Sequence, residues 1–234
     1  MTYAVSDIHG HYDKYSAMLR SMNLRPDDTL YVLGDAVDRG PEPMKVLTDM
    51  MSRPNVIPIL GNHEFMAAYC LRFLAREITD EAIAALDGAR LAALSEWLDP
   101  ANGGQATLDD FRRLSPEDRL NVLDYLGDFS LYEVASTGGN DYVLVHAGLA
   151  GFSPDRPLED YRPDELILGR ADYGRTYYPD RYLVTGHTPT RNIPGNPEPN
   201  RIFRANGHIA IDCGCWCGGH LGVICLDTGE ELYA

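Results

Sequence analysis

Three times in its first 76 residues, the chain repeats a short apolar run, a loop that begins with polar residues, and a segment with apolar residues at helical spacing. The apolar runs lie at 2–6, 30–33 and 56–60, and the helical segments lie at 13–22, at 44–51 and after Glu64 to about Arg76. Strands that alternate with helices are typical of α/β folds, in which functional loops gather at the carboxyl ends of the strands. The repeat therefore predicts an α/β sheet with three polar loops around one cleft.

Residues 77–127 have a different, helical character. A stripe with helical spacing is formed by Ile83, Leu86, Leu91, Leu94 and Trp97. Thr107-Leu108-Asp109-Asp110 resembles a capping box, and Ser115-Pro116 is a favourable helix start. We expect a helical insertion after the third strand, within a single domain that covers residues 1–234.

After Gly127 the chain becomes rich in strand-forming segments. They lie at 131–134, 142–145, 181–184, 201–204, 208–212 and 221–226. Ala205-Asn206-Gly207 is typical of a hairpin turn, and residues 190–200, with three prolines, indicate an irregular loop.

The formal charge of −15 in 234 residues opposes binding to polyanions, and no run of Lys or Arg provides a local positive patch. We therefore expect neither a nucleic acid nor a membrane as partner. A small anionic substrate is compatible with this charge if divalent cations make the site locally positive.

Compartment and redox state follow from two further features. No stretch approaches the ~20 consecutive apolar residues of a membrane span, and residues 1–3 lead into a strand-like segment without a basic region or an apolar signal core. Three of the five cysteines stand in Cys213-Gly214-Cys215-Trp216-Cys217, which is not a spaced disulfide framework. We expect a cytoplasmic protein in which Cys213, Cys215 and Cys217 are buried or half-buried free thiols. The alternative is that these alternating cysteines face one way along a strand and bind a soft metal.

Residues able to bind a metal follow five of the predicted strands. They are Asp7 with His9, then Asp35, then Asn62 with His63, then His146, and finally His187. Imidazole, carboxylate and amide donors in one site suit Mn, Fe, Zn or Ni better than calcium. A carboxylate such as Asp35 can bridge two metals through its two oxygens, and the planar guanidinium of Arg39 suits a pair of phosphate oxygens. The pattern indicates a metal site that handles phosphate.

Five ordered blocks carry a resemblance to a known family. They are Ser6-Asp7-Ile8-His9-Gly10, Gly34-Asp35-Ala36-Val37-Asp38-Arg39-Gly40, Gly61-Asn62-His63-Glu64, His146-Ala147-Gly148 and Gly186-His187-Thr188-Pro189. In this order they resemble the signature of the phosphoprotein phosphatase family of metallophosphoesterases. Residues 97–108 and 211–219 resemble the bacterial and phage branch of that family. The resemblance implies a central β-sandwich flanked by helices.

The resemblance also implies roles for individual residues. One metal would be held by Asp7, His9 and a bridging Asp35, and the other by Asp35, Asn62, His146 and His187. Manganese is the first expectation for both metals, with iron, zinc or nickel as alternatives. The catalytic residues implied are Arg39 and Arg170, which would bind phosphate, His63, which would protonate the leaving group, and Asp38, which would support the His63 imidazole.

The function implied is that of a phosphomonoesterase acting by direct attack of metal-bound hydroxide. The substrate placed first is a protein phosphorylated on Ser, Thr or Tyr. The alternative is symmetrical hydrolysis of a dinucleoside tetraphosphate such as diadenosine tetraphosphate, because enzymes of that kind resemble the chain in the same blocks. A phosphate-binding module without catalysis is the third reading.

Four other groups of residues have open or structural interpretations. His11 and His220 are expected at the rim or surface, and His208 is expected to be structural. Glu64, at a helix start, complements the helix dipole or orients a metal ligand. Tyr173, Tyr177 and Tyr178 either line the substrate cleft or pack beneath a loop.

Overall fold

A computed structural model of the chain describes residues 1–75 and 87–234, so the predicted stripe residues Ile83 and Leu86 lie outside the described part. The elements are numbered in chain order. One sheet contains β1 (Thr2–Val5), β2 (Thr29–Leu33), β3 (Val56–Ile59), β9 (Gly222–Cys225) and β10 (Glu231–Tyr233), in the order β10-β9-β1-β2-β3. β1, β2 and β3 are parallel, so their carboxyl ends meet at one edge, as the repeat predicted.

The second sheet also has five strands. It contains β4 (Tyr132–Thr137), β5 (Asn140–Val145), β6 (Tyr182–Thr185), β7 (Phe203–Ala205) and β8 (His208–Ala210), in the order β4-β5-β6-β8-β7. β5, β6 and β8 are parallel to one another. Asn206 and Gly207 join β7 to β8 with φ of 53° and 72°, the left-handed conformations that a type I′ hairpin turn requires.

The two sheets share an apolar layer, which confirms the predicted sandwich. The first sheet contributes Ala4, Leu33, Ile59 and Ile224, and the second contributes Tyr142, Leu144, Val184 and Ile209. The other face of the first sheet is covered by α1 (Tyr12–Met22), α2 (Pro43–Met51), α3 (Asn62–Leu74), α4 (Gly88–Trp97), α5 (Gly104–Arg112) and α6 (Pro116–Gly127). A short α7 (Pro163–Ile167) packs on the outer face of the second sheet.

Several local predictions are confirmed and one is wrong. Ser115 caps α6 by accepting the N–H of Asp118 at 3.1 Å, and Pro116 is the first residue of that helix. Thr107 does not start a helix, because α5 already begins at Gly104 after Gly103 adopts a φ of +72°. The Thr107 hydroxyl is instead turned inward, where it contacts Asp38. Neither α7 nor β10 was predicted from the sequence.

Among the helices in residues 1–75 and 87–234, none combines the length and hydrophobicity needed to span a membrane. The five cysteines are free thiols, as expected for Cys213, Cys215 and Cys217.

His208 has the structural position that the sequence analysis expected. It is buried, its Nε2 lies 2.8 Å from the hydroxyl of Thr185, and the Tyr173 ring stacks on the imidazole at a centroid distance of 4.8 Å. Tyr177 meets the same imidazole edge-on, so these two tyrosines are packing residues. Burial lowers the pKa of His208 to about 4.

We predict that His208 makes the fold less stable as the pH falls. Between an unfolded pKa of about 6.5 and the lowered folded pKa, the unfolded chain binds a proton that the folded chain does not, which costs about 2–3 kcal/mol by pH 4.5. The contribution is constant above pH 7. Urea unfolding at several pH values should show that the stability difference between the wild type and His208→Gln shifts toward the variant below pH 6. A difference that does not change with pH would contradict the prediction.

Candidate metal centre

The structure brings all six predicted metal ligands to the same edge of the sandwich. Asp7 follows β1, Asp35 follows β2, and Asn62 follows β3, while His146 and His187 follow the parallel strands β5 and β6. Parallel strands present the residues after their carboxyl ends on one side. Loops that are far apart in the chain therefore lie together at one edge of the sandwich.

Asp35 lies at the middle of this cluster. Its Oδ2 is 3.7 Å from Nε2 of His9 and 3.8 Å from Nε2 of His63, and its Oδ1 is 3.4 Å from Nε2 of His146. Within residues 1–75 and 87–234, two sets of donors have all their ligand atoms within 4.8 Å of one another, and both contain Asp35. The first set is His9, Asp35 and His63, and the second is Asp35, His146 and His187. Asp35 thus presents one oxygen to each set.

Asp7 and Asn62 adjoin these sets. Asp7 belongs to neither tight set, and its Oδ2 accepts the backbone N–H of His187 at 2.9 Å. Asn62 presents Oδ1 at 3.0 Å from Nε2 of His146. The first donor set therefore contains His63 where the resemblance implied Asp7, which differs from the expected grouping.

The imidazoles are oriented to present a lone pair to the cluster. Nδ1 of His9 lies 2.9 Å from the carbonyl of Val37, and Nδ1 of His146 lies 2.7 Å from that of Leu33. A carbonyl can only accept, so both Nδ1 atoms carry a proton, and the neutral form of each ring then has its lone pair on Nε2. Burial also lowers the pKa of His9, and it lowers that of His187 to about 4, which keeps both rings neutral at pH 7. This donor set fits divalent transition metals.

Buried carboxylates give the cluster an excess of negative charge. Burial, followed by the charges of Asp212 and Asp35, raises the pKa of Asp7. Asp212 was not among the predicted site residues, yet it is buried, and burial raises its pKa to about 7. Two divalent cations add about four positive charges at such a place, so the acidic excess also fits a dimetal centre.

The backbone of the site is unusual in conformation. Nine non-glycine residues in the described part of the chain have positive φ, and six of them are candidate site residues. They are Asp7, His9, Asp35, Asp38, Arg39 and His187. A left-handed conformation at such residues costs on the order of 1–3 kcal/mol each and persists where tertiary contacts impose it. The fold therefore holds these side chains in place against a local backbone preference.

Asp38 and His63 form a buried pair that the insertion supports. Nδ1 of His63 lies 2.7 Å from Oδ2 of Asp38. Thr107 donates its hydroxyl to Oδ1 of Asp38 at 2.6 Å, and Nε1 of Trp97 donates to both oxygens at 3.0 and 3.2 Å. Burial acts to lower the pKa of His63, but the charge of Asp35 and the hydrogen bond to Asp38 outweigh it and raise that pKa. Sequence reasoning missed Trp97 and Thr107 as site residues, because no local pattern indicates their contact with Asp38.

Glu64 holds the loop after β2. It is buried and accepts four backbone N–H groups, from Asp35 at 2.7 Å, Ala36 at 2.7 Å, Val37 at 3.2 Å and Gly61 at 3.1 Å. Both carboxylate oxygens are used. Glu64 was expected either to complement the helix dipole or to orient a metal ligand. These contacts fit the second role, because the Glu64 carboxylate binds the backbone N–H of Asp35 and so fixes the position of that candidate ligand.

The two predicted phosphate-binding arginines lie at the same edge. Nη1 of Arg39 is 2.7 Å from Nε2 of His9, and its guanidinium lies over the Trp216 ring at 4.0 Å from the centroid. Arg170 is exposed and close enough to His187 to help lower the pKa of that imidazole, after burial and the nearby His146. By contrast, His11 is half-buried, His220 is exposed, and neither belongs to the donor sets found in the described residues.

We predict that Glu64→Ala lowers the free energy of unfolding by about 3–5 kcal/mol, because it leaves four buried N–H groups without an acceptor. Glu64→Gln keeps one acceptor oxygen and should cost less. Glu117→Ala is the matched control, since Glu117 is also in the first turn of a helix but is exposed, and it should cost within ~0.5 kcal/mol. Urea unfolding measures all three, and equal losses for Glu64→Ala and Glu117→Ala would leave only a dipole role for Glu64.

Comparisons with known proteins show which family the chain matches. The family of calcineurin-like phosphoesterases matches residues 2–221. A symmetrical bis(5'-nucleosyl)-tetraphosphatase from Delftia acidovorans is 34% identical over 98% of this chain and 93% of its own length. An asymmetrical bis(5'-nucleosyl)-tetraphosphatase, PrpE, from Bacillus velezensis is 25% identical over 93% of this chain and 85% of its own length.

A solved structure supports the same assignment at the level of the fold. The crystal structure of a proposed diadenosine tetraphosphatase has a TM-score of 0.68 and 18% identity, and the match covers 100% of this chain and 92% of the other. Together with the family match over residues 2–221, these findings show that the chain belongs to the calcineurin-like phosphoesterase family and is a phosphoric ester hydrolase.

Proposed function

We propose that this chain is a symmetrical dinucleoside tetraphosphatase, which splits a substrate such as diadenosine tetraphosphate into two nucleoside diphosphates. The observation that carries the proposal is the likeness to the Delftia acidovorans tetraphosphatase, which extends over nearly the full length of both proteins. A phosphoprotein, the substrate placed first in the sequence analysis, becomes the second candidate for the same reason. The net charge of −15 is compatible with a small anionic substrate whose charge is met at the cation site.

Two divalent transition metals are the cofactors in this proposal, with manganese the first choice. The residues that would hold them are Asp7, His9, Asp35, Asn62, His146 and His187. When bound, the metals supply a Lewis acid that polarises phosphate oxygens and makes water nucleophilic at neutral pH. Asp35 suits the bridging position because its two oxygens face different donor sets. The neutral imidazoles of His9 and His187 are ready to ligate without losing a proton.

Arg39 and Arg170 bind the phosphate chain in this proposal. A guanidinium offers two parallel N–H groups to two phosphate oxygens and remains charged at any working pH. Arg39 is held for this task by its backbone, since its N–H donates to the carbonyl of Gly103 at 3.1 Å. Arg170 is exposed, lies in the segment between α7 and β6, and is close enough to His187 to contribute to lowering the pKa of that imidazole.

His63 protonates the leaving oxygen. Its Nδ1–H donates a hydrogen bond to Oδ2 of Asp38 at 2.7 Å. Its Nε2 faces the donor cluster and lies 3.8 Å from Oδ2 of Asp35. The raised pKa of His63 favours the protonated ring that a general acid needs. We further infer that residues 1–234 act as one domain, because the insertion at 77–127 supplies Trp97 and Thr107 to hold Asp38 in position.

The test of the proposal is product analysis with the manganese-loaded protein. Diadenosine tetraphosphate should give ADP as its only nucleotide product. Formation of ATP and AMP would indicate asymmetrical cleavage. If a phosphoserine peptide were turned over faster than diadenosine tetraphosphate, protein phosphatase activity would become the first candidate function again. Binding of two metals with no turnover of either substrate, or of an aryl phosphate, would leave a binding module.

We predict different patterns for Asp35→Asn and His63→Ala. Asp35→Asn should reduce kcat/KM by at least about 10³-fold on every substrate, because metal activation of water is the largest contribution. His63→Ala should cost about 10²–10⁴-fold on an alkyl phosphate but much less on an aryl phosphate, whose leaving group needs no proton.

Steady-state assays on the two esters measure both effects. Thr107→Val removes the hydroxyl that donates to Oδ1 of Asp38 and accepts the backbone N–H of Asp38, so it should show the His63→Ala pattern in weaker form. Equal losses of kcat/KM on the alkyl and aryl esters for His63→Ala would remove its role as acid.

A further inference from the structure

Trp216 stands apart from the other tryptophan of the chain. Trp97 is fully buried, whereas Trp216 keeps 39% of its surface exposed. The guanidinium of Arg39 lies over the Trp216 indole at 4.0 Å, and the His9 imidazole meets the indole edge-on at 6.0 Å. An exposed indole therefore adjoins both a candidate metal ligand and a candidate phosphate-binding arginine. None of the roles assigned above uses it.

The turn that carries Trp216 is firmly held. Cys215–Cys217 form one 3-10 turn between Gly214 and Gly218, whose φ values of 74° and 86° let the chain enter and leave it sharply. Lys14 donates to the carbonyl of Cys215 at 2.8 Å, and Arg191 donates to that of Cys217 at 2.8 Å. Both neighbours of the indole are thus fixed by cations from other parts of the fold.

The cysteines of the turn contribute to the same arrangement. Cys215 is buried in the apolar cluster beneath the helices, and its thiol lies 3.7 Å from the carbonyl of Ile8, one residue before His9. Cys215 thus anchors the turn in the core, while Trp216 keeps 39% of its surface exposed. A rigid, exposed aromatic surface loses little entropy when a ligand stacks on it.

We propose that the face of the Trp216 indole opposite Arg39 is the stacking surface of a nucleobase subsite beside this phosphate-binding arginine. The inference rests on the proposed function, because a dinucleotide carries a purine a short distance from the phosphate that Arg39 would hold. Every nucleobase has a π-face, and stacking on an aromatic side chain strengthens binding without requiring a particular base. The subsite therefore takes a nucleoside phosphate and discriminates against a phosphate that carries no base.

A purely structural role for Trp216 makes a different prediction. If the indole only held Arg39 in position, its loss would weaken binding of all phosphates alike. A subsite for the base affects only ligands that carry a base. AMP and ribose 5-phosphate share the phosphate and the ribose and differ in the base, so they separate the two roles.

The experiment is equilibrium binding of AMP and ribose 5-phosphate to the manganese-loaded protein by calorimetry, which needs no turnover. Stacking on the wild type should make AMP bind about 5- to 100-fold more tightly than ribose 5-phosphate. Trp216→Leu should reduce this preference to within about twofold, whereas Trp216→Phe, which keeps an aromatic face, should retain most of it. Tyr182→Leu is the control, because Tyr182 is 38% exposed but begins β6 at the end remote from His187.

Two outcomes overturn the inference: equal affinity of the wild type for AMP and ribose 5-phosphate, or equal weakening of both ligands by Trp216→Leu. A base preference that Trp216→Leu removes supports it. The proposed function is judged separately by the products from diadenosine tetraphosphate. A protein that prefers AMP through Trp216 but does not cleave the dinucleotide keeps the subsite and loses the proposed function. A protein that cleaves diadenosine tetraphosphate to ADP but shows no preference for AMP over ribose 5-phosphate keeps the proposed function and loses the subsite.

Discussion

The carboxylate of Asp35 is the point on which the site depends. It lies between two sets of imidazoles and faces one with each oxygen. Such a group is costly to bury unless cations or hydrogen bonds compensate for its charge. The protein holds it in a left-handed backbone conformation, and the neighbouring Glu64 accepts the Asp35 N–H together with those of the next two residues. The loop is thus fixed by a second buried carboxylate that is not itself in a donor set.

A similar dependence joins the insertion to the site. Asp38 is fully buried, and the donors that satisfy it come from α4 and α5, about 60 to 70 residues further along the chain. Because the same carboxylate meets the imidazole of His63, the orientation of that ring is tied to the packing of the insertion. The insertion therefore takes part in building the site as well as covering the first sheet.

Part of the fold and of the metal site could be predicted from the sequence. The three repeats of strand, polar loop and helix predicted parallel strands, and the positions of Asp7, Asp35, Asn62, His146 and His187 after strands predicted that they would meet. The chemistry of the donors also indicated transition metals. In contrast, the pattern around Thr107 suggested a helix start, and the structure places that residue inside α5 with its hydroxyl on Asp38. The sequence pattern suggested that the Thr107 hydroxyl would accept a hydrogen bond from a nearby backbone N–H. In the structure it donates to Asp38, which is distant in the chain.

The order of the main strands and helices and the residues that follow each strand are encoded locally, because hydrophobic periodicity and the alternation of strands with helices are local properties. Three features emerge only in the folded protein: the grouping of the donors around Asp35, the hydrogen-bond partners of Asp38 and Glu64, and the position of the Arg39 guanidinium over a partly exposed Trp216. The reason is physical. Each of these depends on hydrogen bonds and packing between segments far apart in the chain, and on left-handed backbone conformations that those contacts impose against local preference.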